Sequence, residues 1–204
     1  MLQQAVVHGL CTWHSDTLSA WTMILAMGVA TKHILCNLSY ATFLVWLHVV
    51  IHAPFSILYH THHNNVVNDY SILYIMLDAT MIYVSQCILH IGLSWNVPWQ
   101  IKTITIPLIL LLCTNAIEQI RKQQTIVNVK KRTEAFIWIS ILQCVPIMHV
   151  MSLHSVGLYI LAYVATIYMY KTKLADIGKI KLSNALMHGA LIINNIVLLN
   201  LVKR

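Results

Sequence analysis

The chain has 204 residues, of which 58% are hydrophobic and only 9% charged, against about a quarter charged in an ordinary soluble domain. Such a composition excludes a water-soluble globule, and the formal charge of +7 has no soluble face on which to act as a nucleic-acid patch, so it is read as a membrane-topology signal. Seven spans of about 20 residues consume nearly the whole length and leave no room for a second domain.

The first ten residues lack the Lys or Arg of a cleaved leader, so the first apolar segment is expected to stay in the protein. Apolar segments fall at 18–36, 38–60, 70–91, 101–117, 134–153, 155–171 and 183–202, which predicts an all-α membrane protein, a single seven-helix transmembrane bundle over 1–204. The first is the weakest, because Lys32 and His33 shorten its apolar core. The second ends on His62, His63, Asn64 and Asn65, and the third at Trp95, Asn96 and Pro98. Lys130, Lys131 and Arg132 precede the fifth, which nearly touches the sixth at Leu153 and His154. Five cysteines in no metal-binding spacing read as small hydrophobes. Lys and Arg number nine on one side of the alternating segments and four on the other, which predicts a cytosolic N-terminus and a C-terminus outside.

Against this background the polar residues inside apolar runs stand out. Asp78 is the one acidic residue flanked by long apolar stretches on both sides. Placing Asp at mid-membrane costs about 2.5–3.5 kcal/mol, so it is expected to face a polar interior with a partner, either as a site residue or as an interhelical hydrogen-bonding group. His48, His52, Ser56 and His60 recur every four residues along the second segment, one slowly drifting helix face. A single histidine there would be structural, whereas the stripe points to a function for at least His60. His62 and His63 fall in the following loop, where solvation accounts for them. Asn184 and His188 form another four-residue pair. At a rise of 1.5 Å per residue, Asp78, Ser56 and His188 lie about 12, 6 and 8 Å inside the cytosolic ends of their helices. One inner-leaflet cluster of Ser56, His60, Asp78, Asn184 and His188 is therefore geometrically possible, and imidazoles with a carboxylate and a hydroxyl suit zinc chemistry.

At these residues the sequence resembles the progestin and adipoQ receptor family, with which the adiponectin receptors and the haemolysin III-like proteins are grouped. His14 to Thr22 looks like its H-N-E-T-x-N-x-W-T motif, Ser56 to Thr61 like S-x-x-[FY]-H-[ST], and Leu77-Asp78 like its L-D. Arg132 with Phe136, then Val145 to His149, resemble R-x-x-x-F and V-P-x-M-H, and Ser183 to His188 resemble S-H-Q-x-x-H. The resemblance implies seven helices and an inner-leaflet zinc with His60 and His188 as ligands, and with Ser56 and Asp78 beside the metal as the residues that position its water. Asn184 stands where the family has a third ligand histidine, and an amide oxygen is the weaker donor.

Three functions follow as expectations. The first is a receptor-like membrane protein of lipid or metal homeostasis with a vestigial or weakened zinc site, contacting membrane lipids and a lipid or extracellular ligand. The second is a zinc-dependent hydrolase of lipid amides such as ceramide, with catalytic Ser56 and Asp78. The third is a proton or metal transporter using His48, His52 and His60.

Overall fold

A computed structural model describes residue 10 and residues 16–62, 69–122, 129–150, 153–177 and 182–202. The described residues form seven long helices and no strand: α1 Thr17–Cys36, α2 Tyr40–His62, α3 Asp69–Leu93, α4 Trp99–Lys122, α5 Val129–Val150, α6 Leu153–Thr172 and α7 Leu182–Val202. Five of them, α1, α2, α3, α4 and α7, are long and apolar enough to cross a membrane, while in α5 and α6 the apolar stretches are the shorter Glu134–His149 and Tyr159–Met169.

Local chemistry sets the helix ends. α2 begins after a reciprocal cap in which the Thr42 amide donates to Ser39 Oγ at 3.1 Å and the Ser39 amide donates to Thr42 Oγ1 at 2.8 Å, so two otherwise orphaned donors are satisfied. α6 stops at Lys173, whose φ of 52° is left-handed, with its amide bonded to the Met169 carbonyl at 3.1 Å. The turn then docks onto α7, where Asp176 Oδ1 accepts from the Ser183 amide at 2.9 Å and Ser183 Oγ accepts from the Ala175 amide at 3.0 Å.

Two expected boundaries move. α4 runs five residues beyond 117 to Lys122, because a helix can outlast its apolar stretch when charges pair along its surface. Glu118 lies 3.1 Å from Arg121 and 3.5 Å from Lys122 at helical spacing. Likewise α5 opens at Val129, so Lys130, Lys131 and Arg132 belong to its first turns and do not precede it. Their side chains, and His14, His63, Asn64 and Asn65, lie outside what is described.

Small residues decide the packing. The buried face of α1 carries Ser19, Ala20, Ala26 and Ala30, which lets α1 close against both α2 and α7. α2 and α3 form the most intimate antiparallel pair. A Cβ on Gly92 would stand 2.9 Å from Leu44 Cβ and 3.3 Å from the Ala41 carbonyl, so only glycine permits this approach. One core joins α1, α2, α3, α5, α6 and α7 around Val45, Val49, Leu89, Ile147, Tyr159 and Leu199. A second, around Tyr83, Ile109, Cys113 and Ile139, ties α4 to α3 and α5. Large apolar side chains such as Trp21, Leu25, Leu111 and Leu161 remain exposed on the outside of the bundle, as a lipid-facing surface requires.

Candidate functional site

Four helices bring polar side chains together at the end of the bundle that holds the start of α1. α2 contributes its four-residue stripe of His48, His52, Ser56 and His60, α3 contributes Asp78, and α7 contributes Asn184 and His188. The residue that caps α1, Asp16, and Ser19 in its first turn complete the group. Every one of these groups is buried except His52 and Asn184, which are partly covered.

They divide into three contacts. His52 Nε2 meets Asp78 Oδ1 at 3.1 Å, so the carboxylate in the apolar run of α3 has the partner that its insertion cost demands. Two turns further along α2, His60 Nε2 faces His188 Nε2 at 3.3 Å, with the two rings edge to face at 85°. On its other side, His60 Nδ1 stands 3.7 Å from Asp16 Oδ1. Asn184 turns away from the histidines, and its Nδ2 donates to Ser19 Oγ at 2.9 Å. Ser56, between the two histidine contacts, is buried with no hydrogen-bond partner for its hydroxyl among the described residues.

The His60–His188 contact has two chemical readings. With one nitrogen protonated and the other bare, 3.3 Å is a long hydrogen bond. It is also the edge of a coordination tetrahedron, since two imidazole nitrogens each about 2.05 Å from one ion at the tetrahedral angle stand about 3.3 Å apart. An Asp beside the far nitrogen of a histidine, as Asp16 is beside His60, is the usual support for a ligating imidazole. The donor set stops there. Among the described residues no group of three His, Cys, Asp or Glu side chains is arranged to hold an ion; Asp78 is engaged by His52, and the α7 position one turn before His188 offers only an amide, whose Nδ2 donates to Ser19. The residues thus fit two of the three protein ligands that a catalytic zinc takes.

Of the residues singled out in the sequence, His60 and His188 meet directly. Asp78 joins the stripe through His52, Ser56 lies between, and Asn184 points to α1. Sequence reasoning did not single out Asp16 or Ser19, although both lie inside the His14 to Thr22 stretch, nor did it pair His52 with Asp78. Other motif positions do not reach the site. His149 is exposed near the far end of α5, and Phe136 stacks on Tyr163 at 6.0 Å. His62, expected in the loop after the second segment, is instead the last residue of α2 and bonds back to the Leu58 carbonyl at 2.9 Å.

No family model, curated protein or solved structure matches the chain.

Proposed function

We propose that the chain is a receptor-like, multi-pass membrane protein of lipid or metal homeostasis, with seven spans and a cytosolic N-terminus, whose inner-leaflet zinc site is weakened. The seven-span count is supported by the lengths of α5 and α6, 22 and 20 residues, which at 1.5 Å per residue match a core of about 30 Å, and the orientation is supported by the nine-to-four split of Lys and Arg. The observation that carries the reading is the bond from Asn184 to Ser19. It turns the Asn184 amide toward α1 through its nitrogen, and leaves only an uncharged amide oxygen, a weaker donor than imidazole, at the position where a third ligand would complete the His60 and His188 pair.

A second reading, a zinc-dependent hydrolase of lipid amides, is favoured by the 3.3 Å spacing of the two imidazoles. A zinc held there would polarise an amide carbonyl and acidify water. His60 and His188 would hold it, Asp16 would orient His60, and Ser56 would offer its free hydroxyl to the substrate.

Competitive-chelator titration of purified protein separates the two. Wild type should bind zinc weakly, and Asn184→His should tighten binding by at least about 10-fold, the scale on which ligand shells act. Equal, tight binding by both proteins would sink the weakened-site reading, and turnover of a ceramide-like amide by wild type would establish the second.

A further inference from the structure

A second set of buried polar groups lies beyond the histidine cluster, toward the opposite end of α2 and α3. Gln86 and His90 on α3, and Ser94 in the turn just after it, succeed one another at four-residue spacing, and all three are buried, His90 with 0% of its surface exposed. Neither ring nitrogen of His90 nor the Ser94 hydroxyl has a hydrogen-bond partner among the described residues. α5 adds Gln143, whose Nε2 donates to Gln86 Oε1 at 2.7 Å and to the Gln86 carbonyl at 3.3 Å, while its own Oε1 is buried without a partner among the described residues. α2 adds His48, whose Nδ1 is in the same condition.

Two contacts fix how α2 and α3 run past each other. His52 meets Asp78, and Gly92 packs on Ala41, Leu44 and Val45. Between these points His48 comes level with the turn of α3 from Ile82 to Gln86. It therefore stands between the His52–Asp78 pair and the Gln86–Gln143 pair. From Asp78 to Ser94 the rise is about 24 Å, most of a hydrocarbon core of about 30 Å. At one end Ser94, itself buried, is followed directly by exposed Trp95 and Asn96. At the other end Ser56, its hydroxyl also unpartnered among the described residues, continues the row one turn past His52.

In either tautomer a neutral imidazole carries one donor and one acceptor, and leaving each unmet in an apolar interior costs on the order of 1–3 kcal/mol. Leu or Val at position 90 would incur no such cost, so packing alone does not explain the histidine. A water on each side of the ring would satisfy both nitrogens. A four-residue step of about 6 Å is the span of one water making two hydrogen bonds of about 2.8 Å.

We infer that Ser94, His90, Gln86, Gln143 and His48 line a water-threaded path that carries protons through the bundle by way of the His52–Asp78 pair. His90 takes a proton on its bare ring nitrogen from the water on one side and releases the proton from its other nitrogen to the water beyond. Charge is conserved, and the exchanged tautomer is restored by rotation of the ring. Gln86 and Gln143 do not titrate and hold the intervening water. The path needs no metal at His60 and His188, so it stands or falls separately from the zinc reading, and it runs in either orientation of the chain.

The test is proton entry into liposomes that hold purified protein and a trapped pH-sensitive dye, driven by a potassium diffusion potential. Wild type should acidify the lumen faster than protein-free vesicles. His90→Gln, which keeps a donor and an acceptor but cannot relay a proton, should slow entry by at least about 10-fold. Gln143→Leu should also slow it, whereas Thr105→Val, at a buried polar residue of α4 outside the row, should conduct as wild type does. Wild-type vesicles no leakier than empty ones, or His90→Gln vesicles as leaky as wild type, would overturn the inference.

Discussion

The bundle contains two antiparallel helix pairs that differ in how closely they approach. Between α2 and α3, Gly92 meets Ala41, Leu44 and Val45 with no side chain of its own in the way, and the backbones come near enough for His52 to reach Asp78 across the interface. Between α5 and α6, Ser140 and Cys144 face Tyr159, Tyr163, Ile160 and Val164 across a cleft of about 530 Å³, lined almost wholly by carbon and ending at Lys171. Aromatic rings hold these helices apart and leave the cleft between them. Close approach accompanies buried polar chemistry in the first pair, because a carboxylate or imidazole without a partner is untenable in hydrocarbon. The second pair buries mainly apolar groups and tolerates separation. Position along the chain thus matters less for the site than where the small residues fall.

The largest expected effect comes from forcing the close pair apart. Gly92→Val places a Cβ against Leu44 Cβ, where the separation is 2.9 Å, and overpacking of this kind costs about 1–3 kcal/mol. The thermal midpoint in detergent should fall clearly, and an unchanged midpoint would mean that α2 and α3 stand further apart at Gly92 than a 2.9 Å Cβ separation allows. The polar contact between the two helices comes next. Asp78→Leu should improve insertion of α3 by about 3 kcal/mol on the transfer scale, so abundance in the membrane should hold while zinc binding or proton entry is damaged. Normal activity at normal abundance would make the carboxylate a structural hydrogen-bonding group. A double-mutant cycle of Asp78→Leu with His52→Phe should also return a coupling above about 0.5 kcal/mol, as contacting residues do. The smallest effect is expected at the open pair. Ser140→Leu adds apolar volume to the α5–α6 cleft and should stabilise by no more than about 1 kcal/mol. A loss of stability there would show that the cleft is tighter than its volume implies.

Much of this was legible in the residues. Apolar length located all seven helices to within a few residues. It missed the ends of α4 and the start of α5, where charged residues continue a helix that the apolar stretch does not define. Four-residue spacing placed His48, His52, Ser56 and His60 on one side of α2, and Asn184 with His188 on one side of α7, because the helical period is a property of a single segment. The insertion cost of Asp78 likewise announced that it must have a partner. Which partner it has could not be read the same way. His52 rather than His60 meets Asp78, His60 turns to His188 and Asp16, and Asn184 gives its amide hydrogen to Ser19. Each of these outcomes depends on the rotation and relative depth of two helices. Those quantities are set where Gly92 meets Leu44 and where the alanines of α1 meet α2 and α7, contacts between segments far apart in the chain. Sequence periodicity states which side chains share a face, and only the packing of one helix on another decides what that face meets.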